Sequence, residues 1–276
     1  MRHIFSNRIA MAVAAAMLAG AAGAAGPPSG PLTKCPVDAV VSGTGCMDKY
    51  EASVWRVPNP TTTNAALVRK IQLGKATHAD LTAGGATQLG TASPDYAPCT
   101  ANGQNCTNDI YAVSLPSVLP SASITWFQAQ EACANAGKRL PTSAEWQVAA
   151  NGTPDPGPDN GTTDCNSVGV FPTLTTPTGA RSSCVSARGA FDMVGNVAEW
   201  VADWVPASTS CPGWAGFSDD DMCLAGASTE RTFPGALLRG GAFAVLGGPL
   251  AGPLAVRATM PPSLTVTSFI GFRCVR

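Results

Sequence analysis

The sequence predicts an α+β fold, irregular and loop-rich, with two adjacent helices and short antiparallel strands stapled by disulfides. Three observations carry that expectation. Ten cysteines occur in a chain whose N-terminus reads as an export signal. Among 276 residues, 29 are Gly and 23 are Pro, which break a chain into loops and exclude a long helical bundle. Two helix-start signatures follow one another near the middle of the chain. The length suits one large domain or two small ones.

The first 25 residues form the expected signal peptide. Arg2, His3 and Arg8 precede an apolar run from Ile9 to Leu18, and the small residues AGAAGAAG after it offer a peptidase site between Ala21 and Gly26. An uncleaved anchor would need about 20 apolar residues, and no later run approaches that length, so no membrane span is expected after cleavage. Cleavage removes two Arg and leaves 15 basic against 18 acidic side chains, a net charge of −3. Only 13% of residues are charged, against about 25% in typical domains. There is no basic field for a nucleic-acid backbone or an anionic membrane surface, so no nucleic acid is expected as a partner. The destination is the extracellular space, or the periplasm and cell envelope.

Residues 26–45 read as a flexible N-terminal segment, Pro- and Gly-rich up to residue 34, ahead of a domain over 46–276. Turn-former clusters at 58–64 and 152–161 read as surface loops. The first helix spans Trp126 to Ala136: Thr125 and Gln128 have the capping-box spacing, and Gly137 ends it. In LPTSAEWQVAANG, Thr142 and Glu145 repeat that spacing, Trp146, Ala149 and Ala150 supply an apolar face, and Asn151-Gly152 stops the helix. ALLRGGAFAVL, LAVRAT and SFIGFRCV in the last third read as short strands.

All ten cysteines lie beyond the signal, and an even count in an exported chain points to disulfides. No C-x-x-C is present for zinc or dithiol exchange. Pairing neighbours joins Cys35 to Cys46, Cys99 to Cys106, Cys165 to Cys184, and Cys211 to Cys223, which leaves Cys133 and Cys274 for each other.

Four stretches in order, ITWFQAQEACANAGKRLPTSAEWQVAA, FDMVGNVAEWVADW, LLRGGAF and IGFRCVR, resemble the formylglycine-generating enzyme (sulfatase-modifying factor) family. CMDKYEAS at 46–53 is similar to the family's opening strand, and residues 54–119 show no match. The resemblance implies a large, irregular variant of the C-type lectin fold. It also implies a bridge from the first helix to the terminal GFRC, here Cys133 to Cys274, in agreement with the pairing above.

FDMVGNVAEW places two carboxylates seven residues apart around a Gly turn, and hard cations take six to eight oxygens. The resemblance implies calcium held by the side chains of Asp192 and Glu199 and the backbone of Gly195 and Val197. The competing reading has Asp192 and Asn196 capping a turn while Glu199 pairs with a cation. Asn166 is a match to the family's second calcium site, for which no acidic partner follows.

Family enzymes oxidise a substrate Cys with oxygen, using copper held by two thiolates just after a GGS-W/Y motif. This chain has RGGAFAVLGGPLAG, with Ala242 in place of Ser, and Val245 and Leu250 in place of the cysteines. Aliphatic side chains cannot hold cuprous copper, so no copper is expected. Related iron enzymes use a His cluster, and the exported chain keeps His78 alone. No G-x-S-x-G elbow and no phosphate-cradling Gly loop with Lys occurs. The run Asp219 to Asp221 reads as a solvated loop. AGPLAV and IGFRCVR also resemble the C-terminus of ligand-binding lectin-fold proteins. Phe243, Val245, Leu246, Leu250 and Arg257 are therefore candidates for an apolar recognition face for an unidentified protein or small ligand, or else they fill the vacated cleft.

The expectation is an exported, non-catalytic binding or structural module. The alternatives are an oxidoreductase of the same family with atypical metal ligands, and an accessory subunit of an active paralogue.

Overall fold

The structure is a computed structural model and describes residues 34–106, 108–155, 159–167, 174–227, 233–243, 248–264 and 267–276. The expected signal peptide lies outside the described residues.

The chain opens with an antiparallel hairpin of β1 (Ala39–Ser42) and β2 (Gly45–Asp48). The segment expected to be flexible as far as residue 45 is thus ordered from Ala39. Two ties explain the difference: the Cys35–Cys46 bridge, and the reciprocal backbone bonds of Cys46 with Arg276 at 3.0 Å each.

The stretch without sequence resemblance carries its own small layer. β3 (Ala52–Arg56) lies between β4 (Thr87–Leu89) and β5 (Ile110–Ser114), antiparallel to both. Between β3 and β4 run α1 (Ala65–Gln72) and α2 (His78–Ala83). Leu67, Ile71 and Leu81 from these helices pack on Trp55, Tyr111 and Val113.

The two expected helices are present. α3 (Trp126–Asn135) begins with the Thr125/Gln128 capping box, and Gly137 follows its end at φ +68°. α4 (Ser143–Ala150) begins with the Thr142/Glu145 box. Each box satisfies two backbone donors that the first turn leaves open.

The main sheet has the order β12 (Ile270–Phe272), β6 (Ala198–Pro206), β10 (Pro234–Arg239), β11 (Val256–Met260), β8 (Met222–Cys223). A short pair, β7 (Ser208–Ser210) with β9 (Ala225–Ala227), stands beside it. The centre of the sheet is antiparallel as expected, but both outer pairings, β12 with β6 and β11 with β8, are parallel. Both join strands separated by long connections, which parallel pairing requires.

Alternation along a strand sends successive side chains to opposite faces. Trp200 and Leu238 therefore join Ala129, Ala132 and Cys133 of α3, while Val201 and Leu237 join Trp146, Ala149 and Ala150 of α4. The two helices cover opposite faces of the sheet.

All five bridges form with the expected partners, Cys133–Cys274 spanning 141 positions. None of the ten cysteines remains free. No helix among the described residues is long and apolar enough to cross a membrane.

Candidate functional site

All the recognisable stretches except LLRGGAF converge on one buried polar network. Glu199 on β6 receives Arg273 Nε at 2.8 and 2.7 Å and Arg273 Nη2 at 2.6 Å. The indole of Trp146 donates to its Oε2 at 2.7 Å. The remaining Arg273 donors reach the carbonyls of Asp48, Phe191 and Asp192. Beside this pair, Lys138 Nζ donates to both oxygens of Asp48 at 2.8 and 2.9 Å, and the Cys274 N–H donates to Asp48 Oδ2 at 3.1 Å.

Glu51 lies across the chain from the FDMVGNVAEW turn and binds it twice. Asn196 Nδ2 donates to Glu51 Oε2 at 2.5 Å, and the Val197 N–H donates to Oε1 at 3.0 Å. Asn196 Oδ1 accepts from Asn166 Nδ2 and from the Thr176 N–H. Asp192 and Asn196 both sit in the left-handed region, at φ 57° and 54°, a conformation that short polar side chains tolerate. Gly195 cannot be replaced there, because at φ +74° a Cβ would stand 2.2 Å from the Asn166 carbonyl oxygen.

The network crowds acids around one guanidinium. Burial, reinforced by Asp192 and Glu199, pushes the Glu51 carboxyl well above its ordinary range. Burial likewise raises Asp192 to about 6, against the Gly179 N–H bond and Arg273, which favour its charge. Burial opposes the Arg273 charge, but the Glu199 carboxylate outweighs it and holds the guanidinium protonated.

These residues do not fit calcium. Both Glu199 oxygens are taken by Arg273 and Trp146, and Asp192 Oδ2 accepts the Gly179 N–H at 2.7 Å. A cation at this place would have to displace a bidentate guanidinium. What the structure shows at these positions is a Glu199–Arg273 ion pair beside a turn in which Asp192 accepts the Gly179 N–H and the Val197 N–H donates to Glu51. Among the described residues, no group of three or more His, Cys, Asp or Glu side chains is arranged to hold a metal ion. The copper chemistry of the family fits no better, because every cysteine is bridged and none offers a thiolate.

Of the candidate apolar face, the described residues Phe243, Leu250 and Arg257 do not border one common space. Val245 and Leu246 lie outside the described residues. Leu250 and Arg257 border a space of only about 10 Å³, and Leu250 packs against the main core. Arg257 donates to Thr259 Oγ1 at 2.6 Å. Phe243 is buried and instead borders a different hollow, of about 210 Å³, with Thr91, Ser123 and Leu174. The acidic loop is not wholly solvated either: Asp220 is buried and accepts the Leu254 N–H at 2.8 Å.

A roomier cleft, of about 330 Å³, opens where the end of β2, the α1–α2 connection and the end of β5 meet. Lys49, Tyr50, Lys75 and His78 border it. Sequence reasoning missed it because its lining comes from residues 37 to 116, most of which carried no resemblance. Gly74 permits the close packing there: it sits at φ +66°, and a Cβ would stand 2.1 Å from Asp38 Oδ1.

Comparison with known proteins agrees with the motif reading. Residues 62–276 match the model of the sulfatase-modifying factor enzyme 1-like domain. That match includes the part of 54–119 from residue 62 onward, which carries none of the recognisable motifs. A formylglycine-generating enzyme of Thermomonospora curvata is 35% identical over 103 residues, 31% of this chain and 33% of the relative. The serine/threonine-protein kinase Pkn1 of Chlamydia trachomatis serovar L2 is 39% identical over 91 residues, 31% of this chain and 14% of the kinase. The aligned stretches thus span a third or less of these relatives' own length. Among solved structures, the Major Tropism Determinant I1 variant aligns at 19% identity with a TM-score of 0.43, covering 84% of this chain and 50% of that one. With the family model spanning residues 62–276, most of the chain, this chain belongs to the sulfatase-modifying factor enzyme 1-like family.

Proposed function

We propose that this chain is a non-catalytic binding module on the sulfatase-modifying factor scaffold, exported to an oxidising compartment. The observation that carries the reading is that five bridges use all ten cysteines. No thiolate is left for cuprous copper, and a single imidazole cannot replace a His cluster. The filled space beside Leu250 and Arg257 supports the same view, because it leaves room for about one water and not for a peptide. Five disulfides in a chain with an export-type N-terminus favour a periplasmic or extracellular setting.

The test is made on the purified exported protein. A Cys-containing peptide is added under air, oxygen uptake and aldehyde formation are followed, and calcium, copper and iron per chain are measured before any metal is added. The expected result is no turnover, no stoichiometric transition metal and no thiol titratable in denaturant. Turnover with stoichiometric copper or iron would overturn the reading.

A further inference from the structure

The cleft beside Tyr50 joins unpaired positive charge to an apolar wall. Lys49 Nζ stands 5.7 Å from the ring centroids of both Tyr50 and Phe191, which are themselves stacked 5.3 Å apart. Lys75 lies on the exposed rim, and His78 leans edge-on against Trp55 at 5.6 Å. No carboxylate among the described residues pairs with Lys49 or Lys75.

The polar groups of opposite character in the lining are already engaged. Asp38 is held by Arg276 through Nη1 at 3.0 Å and Nη2 at 3.2 Å. The Ser114 hydroxyl donates to the Asp38 carbonyl and accepts the Tyr50 N–H. What the cleft leaves free is two ammonium groups, one over a pair of aromatic rings. Beyond Thr77, whose hydroxyl is engaged with Asp80, the rest of the wall includes the apolar Val37, Ala76, Leu115 and Pro116. The volume falls at the small end of ligand pockets, which run from about 300 to 1,000 Å³.

We infer that this cleft binds a small organic anion, its charged group between Lys49 and Lys75 and its apolar body against Tyr50, Leu115 and Pro116. A cation would meet two like charges there, and two lysines cannot follow a polyanion backbone. In a protein of net charge −1, this local positive field gives an anion its preferred place of approach. The inference deepens the binding reading above by naming a ligand class, and its test does not depend on the oxidase assay.

Saturation-transfer NMR on the whole exported chain uses three probes: benzoate, phenyl phosphate, and benzamide as the neutral isostere. At least one anion is expected to bind and benzamide is not; which anion binds better separates carboxylate from phosphate sources. The variant Lys49→Gln/Lys75→Gln should weaken anion binding at least tenfold. Arg69→Gln removes the same type of charge from exposed α1 surface outside the cleft and should leave binding unchanged. Thermal melts of both variants should match the parent, since neither lysine is ion-paired. Binding of neither anion, equal binding of benzamide, or an unaffected double variant would overturn the inference. Failure here with a blank oxidase assay removes the ligand class and leaves the non-catalytic reading standing.

Discussion

Replacing Glu199 with Gln distinguishes an ion-pair role from a calcium role at the acid that anchors the buried network. The change keeps the shape of the side chain and removes its charge, leaving Arg273, itself completely buried, without its bidentate partner. Breaking a buried pair by deleting one member typically costs about 3 to 5 kcal/mol. Glu51 and Asp192 both act electrostatically on Arg273 and can take over as counter-charges, so the lower end, about 3 kcal/mol, is expected. For a chain of this size that corresponds to a fall in Tm of about 6 to 12 °C. The assay is thermal unfolding followed by circular dichroism, on parent and variant, each with excess EDTA and with added calcium. An ion-pair role predicts the same fall in both buffers and no effect of calcium on the parent. If calcium raised the parent's Tm and did nothing for the Glu199→Gln protein, the assignment of Glu199 to Arg273 would be wrong.

Two further outcomes follow from the same network and its covalent tie. Glu51 and Asp192 hold their protons more tightly folded than unfolded, so their contribution is full below the unfolded pKa near 4 and is lost as pH rises through about 6 for Asp192. Between pH 7.5 and pH 5 the Asp192 shift contributes on the order of 1 kcal/mol, so the parent's Tm should be higher at pH 5 than at pH 7.5, and a lower value at pH 5 would refute the electrostatics described. Replacing Cys133 and Cys274 together by Ala opens a loop of 141 positions and should cost about 5 kcal/mol in the loop-entropy model; a denaturation midpoint close to the parent's would show that the other contacts already restrain the unfolded chain.

Much of the architecture was readable in advance because it depends on local or countable signals. The boxes at Thr125/Gln128 and Thr142/Glu145 announce α3 and α4 by spacing alone. Neighbour pairing of cysteines succeeds because each short bridge closes a local loop. α1 was missed because its N-cap, Asn64, makes no side-chain cap bond and only Leu67 and Ile71 are buried along it. α2 did carry a signal, the Thr77/Asp80 box, inside a stretch with no resemblance to direct attention to it. The site was less legible. A carboxylate pair around a Gly turn looks the same in sequence whether its partner is calcium or a guanidinium 74 residues away. Glu51 and Asn196, 145 positions apart, give no local sign that one completes the turn of the other. At the cleft beside Tyr50, Gly74 lets a separate connection approach Asp38, a contact no local pattern announces.

The bridges also decide how the domain responds to tension. Force applied between Lys34 and Arg276 enters at Cys35, crosses to Cys46, and leaves through Cys133 to Cys274. Everything from residue 134 to residue 273, including α4 and the whole main sheet, lies off that path. Only the chain from Cys46 to Cys133 can lengthen, shortened further by the Cys99–Cys106 bridge, which allows about 280 Å at full extension. In an oxidising environment a pull on the ends would strip the β3–β4–β5 layer, and with it the cleft beside Tyr50, while the Glu199–Arg273 network stayed inside an unstretched loop. Reduction would remove that shelter.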